Sequence, residues 1–83
     1  MKVELKLYAS LSSFLPNGHV DHKVVLDVAD GTTPSQLIDE LKLPRESCFL
    51  VLVNGIFVPP EERGSRPMHE GDALAIWPPI AGG

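Results

Sequence analysis

The chain has 83 residues, of which 43% are hydrophobic and 22% charged, and its formal net charge is −4 at pH 7. These values are typical of one small globular domain. The acidic balance argues against nucleic acid and anionic membranes as partners, because neutralisation of phosphates supplies most of that affinity. No stretch has the character of a membrane span or signal peptide, and we expect a cytoplasmic protein. The single cysteine, Cys48, makes no internal disulfide and is interpreted as a small core residue.

Two alternating stretches near the N-terminus predict half-buried strands. Apolar and polar side chains alternate over residues 3–8 and again over 23–28. Between them, the apolar spacing within residues 11–15 predicts a short helical turn, which Pro16-Asn17-Gly18 ends.

A helix is predicted to follow the second strand. Thr33 is suited to the N-cap, Pro34 to the first helical position, and Gln36 completes a capping box. The apolar residues within 37–41 form one stripe, and Leu43-Pro44 is predicted to end the helix.

Three further strands are predicted in the second half of the chain. The apolar run Cys48–Val53 indicates a central strand, and Asn54-Gly55 predicts a type I′ hairpin turn. Residues 56–58 form the returning strand, residues 61–67 form a polar, charged loop, and residues 73–77 form the last strand.

This order of elements predicts an α+β fold of the β-grasp, or ubiquitin-like, type. The first two strands pair antiparallel, the helix returns the chain to the sheet, and the last strand lies parallel to the first. We expect a mixed sheet of four or five strands with one main helix on one face. Residues 1–77 form this domain, and residues 78–83 form an extended C-terminal tail.

Alternation also predicts which side chains the helix leaves uncovered. In the hairpin, Val53 and Ile56 are cross-strand neighbours on one face, which directs Leu52 and Phe57 to the other. The uncovered face then carries four large apolar side chains: Tyr8, Leu52, Phe57 and Trp77. Such a patch is typical of a protein docking surface. The alternative is that the loop 61–67, or a register shifted by one residue, hides these side chains.

The last seven residues suggest a projecting reactive end. Pro78-Pro79 favours an extended path. After Ile80 and Ala81, the glycines Gly82 and Gly83 place no side chain beside the terminal carboxylate, which can therefore enter a narrow channel of another protein. The alternative is a frayed tail without a role.

The sequence resembles the ubiquitin-like sulfur carriers of the MoaD/ThiS family, and most closely the small subunit of molybdopterin synthase. The resemblance is carried by Glu70-Gly71 and by residues 72–83, Asp-Ala-Leu-Ala-Ile-Trp-Pro-Pro-Ile-Ala-Gly-Gly. Over the rest of the chain it is looser, and the family fold is the β-grasp fold.

The resemblance implies a specific chemistry. An ATP-dependent E1-like enzyme would adenylate the carboxylate of Gly83, and a persulfide sulfur would convert it into a thiocarboxylate. Gly82 keeps the tail thin, Ile80 and Ala81 seat it, and the large subunit of molybdopterin synthase, or another sulfur-accepting enzyme, receives the sulfur. The chain itself binds no cofactor and acts as a co-substrate or small subunit rather than as an enzyme alone.

Other functions remain open at this point. Thiamine-thiazole synthesis, another thiolation pathway, conjugation to other proteins, or a binding module with an inert tail would each fit the same pattern. A metal site is not predicted, because His19, His22 and His69 lack the spacing of metal ligands.

Overall fold

A computed structural model describes residues 1–79, which form a five-stranded mixed sheet crossed by one α-helix. The elements are β1 (Lys2–Leu7), β2 (Lys23–Asp27), α1 (Pro34–Glu40), β3 (Leu50–Val53), β4 (Ile56–Phe57) and β5 (Ala73–Trp77). Three short 3₁₀ turns connect them, at Ala9–Phe14, Arg45–Ser47 and Pro60–Glu62. None of the helices in this part of the chain has the length and apolarity needed to cross a membrane.

The strand order in the sheet is β2-β1-β5-β3-β4. β1 and β2 pair antiparallel, β1 and β5 parallel, and β3 pairs antiparallel with both β5 and β4. This topology confirms the predicted β-grasp fold. The middle strand is β5, whereas β3 lies between β5 and the two-residue edge strand β4.

Helix α1 begins as the sequence predicts. The Thr33 side chain accepts a hydrogen bond from the Gln36 amide (3.2 Å), and the Gln36 side chain accepts one from the Thr33 amide (2.9 Å). The helix ends at Glu40, before the predicted Leu43-Pro44. It ends early because Lys42 adopts φ +60°, so that the Leu43 amide donates to the Ile38 carbonyl in a Schellman-type cap.

The β3–β4 hairpin has the predicted turn, with φ +53° at Asn54 and +81° at Gly55. The Asn54 side chain also joins the hairpin to the start of β5. Its Nδ2 donates to Asp72 Oδ1 and its Oδ1 accepts from the Ala73 amide, both at 2.9 Å. The turn is therefore fixed to the middle of the sheet.

The core lies between the sheet and α1. Its buried side chains alternate along β1, and the core includes Val3, Leu5, Leu7, Val51, Leu74 and Ile76 from the sheet, Val58 just after β4, and Leu37 and Ile38 from the helix. Cys48 is 4% exposed, which confirms its place in the core. Ile56 shares the core face by alternation but is exposed, because it occupies the edge strand beside the turn.

Candidate functional site

The face of the sheet opposite α1 carries the predicted apolar patch. Leu52 pairs in register with both Phe57 and Ala75, and Leu50 pairs with Trp77. These pairings place Leu52, Phe57 and Trp77 on one face, so the predicted register is confirmed and the alternative shifted by one residue is excluded. We call this side of the sheet the open face.

Tyr8 completes the patch next to the point where the tail leaves the sheet. Its ring stacks on the Trp77 indole with the centroids 4.2 Å apart and the planes 1° apart. The His22 ring lies against Tyr8 at 4.9 Å. The Tyr8 amide donates to the Ile76 carbonyl and the Phe49 amide to the Trp77 carbonyl, so the end of β5 is held from both sides.

The open face is apolar on one half and charged on the other. We define the docking surface as the apolar half, which contains Tyr8, Leu50, Leu52, Phe57 and Trp77. On the β1 and β2 half, Lys6 pairs with Glu4 at 3.5 Å and Lys2 with Asp27 at 3.4 Å. The hydrogen bond and charge of Lys2 lower the pKa of Asp27. A partner protein bound to the open face would contact apolar surface near the tail and paired charges on the β1 and β2 half.

Phe49 is an exposed aromatic residue that the sequence reasoning missed. It falls within an apolar run predicted to be one buried strand, but β3 begins only at Leu50, and Phe49 is 65% exposed. It shares a groove with Leu50, Phe57 and Pro60. No spacing in the sequence marks it, because the run is apolar on both sides of the strand start.

The loop predicted over residues 61–67 is polar and charged, but it turns inward at Arg63. This residue is only 8% exposed, and its guanidinium donates to the carbonyls of Val58 (2.9 Å), Cys48 (3.0 Å) and Phe49 (3.3 Å). The loop stays against the sheet because these carbonyls need donors. It does not cover the docking surface, where Phe57 is 49% exposed.

Burial shifts the pKa values of Arg63, which lies on this loop, and of Cys48. Loss of solvent lowers the pKa of Arg63. Burial also raises the pKa of the Cys48 thiol, against the opposing effect of the Arg63 and Arg45 charges. The thiol donates to the Pro44 carbonyl at 3.4 Å. Cys48 is therefore held in the protonated, unreactive form.

The three histidines do not converge. His19 contacts the Asp21 carbonyl, His22 packs on Tyr8, and His69 lies 3.8 Å from Asp72. Within residues 1–79, no cluster of three His, Cys, Asp or Glu side chains has the geometry of a metal site.

The tail begins at the end of β5. Pro78 is half-buried and Pro79 is exposed. Ile80, Ala81, Gly82 and Gly83 lie outside the described residues, so the seating and reactive roles assigned to them stay predictions, as does the division between residues 77 and 78.

A comparison with known protein families identifies the family to which this chain belongs. The model of the ThiS family matches residues 6–83, nearly the whole chain. The chain belongs to the ThiS family. As a member, it is a ubiquitin-like sulfur carrier.

Solved structures agree with this assignment. SAMP1 from Haloferax volcanii is 26% identical to this ThiS-family chain over the full length of both, with a TM-score of 0.71. A chain from the complex of subunits 1 and 2 of molybdopterin-converting factor from Helicobacter pylori 26695 is 16% identical, again over both full lengths, with a TM-score of 0.62. The second likeness concerns the fold alone. No curated protein matches the sequence.

Proposed function

We propose that this carrier is loaded with sulfur as a thiocarboxylate on Gly83 and delivers it in molybdopterin biosynthesis. The observation that carries the proposal is the Tyr8–Trp77 stack, which places an apolar docking surface directly beside the origin of the tail. A partner bound there receives the tail in a fixed direction. Residues 78–83 span at most about 20 Å when extended, so the partner's active site lies within that distance of Trp77.

The loading chemistry needs an activating enzyme, because a carboxylate is a poor acyl donor. An E1-like enzyme transfers AMP from ATP to the Gly83 carboxylate and releases pyrophosphate. The terminal sulfur of a cysteine persulfide then attacks the acyl carbon, and AMP leaves. A second thiol cleaves the resulting S–S bond, is itself oxidised to a disulfide, and leaves the thiocarboxylate on Gly83. ATP is used by the activating enzyme, and this chain binds no cofactor.

Two features favour the large subunit of molybdopterin synthase as the sulfur acceptor. The first is Pro78-Pro79 together with the outward aromatic residues, which resemble the small subunit of that enzyme. The second is that the similar Helicobacter pylori structure is a complex of two subunits of molybdopterin-converting factor. Aromatic anchors on an open sheet face suit such a subunit interface.

The second candidate is the thiamine-thiazole pathway. The Asn54-Gly55 hairpin, with its type I′ geometry, resembles the thiazole carriers and favours this alternative. The loading chemistry is the same for both candidates, and only the enzyme that consumes the sulfur differs.

Intact-mass spectrometry tests the proposal. The purified chain is incubated with an E1-like activating enzyme, ATP and a persulfide donor, and we expect a product in which one oxygen is replaced by sulfur. This product is then offered separately to the large subunit of molybdopterin synthase with its sulfur-free substrate and to a thiazole synthase. We expect the thiocarboxylate to be consumed only in the first reaction.

Two controls make the result specific. Omission of ATP should leave the mass unchanged, and deletion of Gly83 should prevent loading while the domain stays folded. Absence of the thiocarboxylate in the complete reaction would refute the loading step. Consumption by the thiazole synthase alone would replace the molybdopterin assignment with the second candidate.

A further inference from the structure

Strand β4 is too short to cover the beginning of β3. It pairs only through Ile56 and Phe57, and the last backbone hydrogen bond of the hairpin runs from the Val58 amide to Val51. Pro59 and Pro60 then follow, and neither has an N–H to donate. Within residues 1–79, the carbonyls of Cys48 and Phe49, which precede β3, therefore have no donor from the backbone of β4.

The Arg63 side chain supplies the missing donors. Its Nη1 and Nη2 donate to the carbonyls of Cys48 and Phe49, and its Nε donates to the carbonyl of Val58. A guanidinium has five N–H groups in a planar fork, so one side chain reaches three carbonyls. A lysine ammonium at the end of a flexible chain cannot reproduce this arrangement.

Arg63 is a buried cation without an acidic partner. Within residues 1–79, no carboxylate lies within ion-pair distance of it, and Cζ lies 5.9 Å from the centroid of the Phe57 ring. The cost of burying this charge is offset mainly by the carbonyl dipoles and the ring face, with a weaker contribution from the more distant charge of Glu61. These hydrogen bonds therefore fix the position of the guanidinium. The guanidinium in turn fixes the backbone at Cys48 and Phe49 on one side of the groove and at Val58 on the other.

We propose that Arg63 is a positioning residue that fixes Phe49 and Phe57 in the geometry that the E1-like activating enzyme recognises. Both rings are exposed in the same groove, next to Leu50 of the docking surface. The Phe49 amide donates to the Trp77 carbonyl, so a residue that lines this groove is bonded directly to the end of β5, where the tail begins. The proposal rests on the proposed function and extends its docking surface by Phe49.

This role differs from direct pairing with a charge on the partner. The hydrogen bonds of Arg63 already point into the protein, and the side chain is almost fully buried. The partner is therefore expected to place apolar side chains in the groove rather than a carboxylate on Arg63. Loss of Arg63 should weaken docking by the same factor at low and high salt, whereas loss of an intermolecular ion pair would be salt-dependent.

Amide hydrogen exchange of the isolated chain tests the positioning itself. In Arg63→Lys we expect the amides of Val58 and Phe49 to exchange at least about tenfold faster, because the local opening free energy falls. The amides of β1 should be unchanged. Arg66→Lys is the matched control, since Arg66 lies on the same loop but is exposed and paired with Glu62. Unchanged exchange at both amides would overturn the proposal.

The wild-type chain provides a test that needs no folded variant. The Nε proton of Arg63 should exchange with water far more slowly than those of Arg45 and Arg66, whose side chains are 64% and 51% exposed. Equal rates would mean that the guanidinium is not held as described, and the proposal would fail.

A double-mutant cycle tests the functional consequence. Pyrophosphate release by the E1-like activating enzyme is measured for Arg63→Lys, Phe57→Ala and the double variant at two salt concentrations. We expect each single variant to raise KM by about tenfold with kcat unchanged. The double variant should raise KM by less than the product of the two single effects, because the part of the Arg63→Lys effect that acts through Phe57 is already lost and only the part through Phe49 remains. Additive effects would mean that Arg63 does not act through Phe57. If the wild type releases no pyrophosphate, the proposed function fails, and the exchange measurements still decide whether Arg63 positions the rings.

Discussion

The backbone carbonyl of Cys48 accepts a hydrogen bond from the Arg63 guanidinium. The thiol itself points into the core and donates to the Pro44 carbonyl. Burial raises its pKa more than the nearby arginine charges lower it. The single cysteine of this sulfur carrier is thus held as a buried, protonated thiol.

The raised pKa of Cys48 predicts a pH dependence of stability. An exposed thiol in the unfolded chain loses its proton near pH ~8.5, whereas the folded thiol retains it to higher pH. The contribution of Cys48 to the free energy of unfolding is therefore complete below that pH and declines as the pH rises above it.

Urea unfolding of the wild type and of Cys48→Ala between pH 7 and pH 10 measures this contribution. We expect the difference in the free energy of unfolding between the two proteins to shrink above about pH 8.5. A difference that stays constant over the whole range would contradict the prediction.

The elements that were predicted correctly depend on contacts between near neighbours in the sequence. The capping box joins Thr33 to Gln36, and the type I′ turn needs only Asn54 and Gly55. The register of the open face followed from that turn, because a two-residue loop fixes which residues are opposite. Most of the fold and four residues of the docking surface could therefore be predicted from the sequence.

The features that were missed depend on a distant contact at Arg63 and on unusual local backbone at Lys42 and Phe49. Arg63 is buried by carbonyls 14 and 15 residues earlier in the chain, and no local pattern indicates that they lack donors. The early end of α1 at Lys42 was missed because the residue that normally marks this cap is glycine. Phe49 is exposed only because β3 starts one residue after it.

The left-handed conformation of Lys42 predicts a stabilising substitution. A side chain with Cβ is strained at φ +60°, whereas glycine is not. We expect Lys42→Gly to raise the free energy of unfolding by about 0.5–1 kcal/mol, since relief of strain exceeds the added entropy of the unfolded chain. Chemical denaturation measures the change. Lys42→Ala keeps the strain and removes the charge, so equal stabilisation by alanine would refute this explanation.

The bond between the hairpin and β5 predicts an energetic coupling. Asn54→Gly keeps a residue that tolerates positive φ but removes both side-chain hydrogen bonds, and we expect a loss of about 1–2 kcal/mol. In a double-mutant cycle with Asp72→Ala, the coupling energy should be about 1 kcal/mol. Strictly additive losses in thermal or urea unfolding would show that the two side chains do not interact.

At the scale of the whole molecule, the open face consists of an apolar half and a charged half. The apolar half surrounds the tail origin, and the charged half lies on β1 and β2, where Val25 is 60% exposed. An acidic protein with this arrangement favours partners that combine a basic periphery with an apolar centre.

Substitutions at Phe57 and Val25, two residues of similar exposure, test whether the activating enzyme binds only the apolar half of the open face. We expect Phe57→Ser to weaken binding to the activating enzyme by about tenfold or more, because it removes an aromatic anchor. Val25→Ser, on the charged half, should bind within about twofold of the wild type. Isothermal titration at one salt concentration compares them, with circular dichroism confirming that both fold. Equal losses would place the contact elsewhere on the sheet.

The position of β5 in the middle of the sheet has a mechanical consequence. A pull on the C-terminal end of the chain would be transmitted along β5, which is bonded to β1 on one side and to β3 on the other. Both ladders then resist the tension together, in shear, instead of opening one bond after another. A pull on the end of this chain is therefore opposed by two strand pairings instead of one.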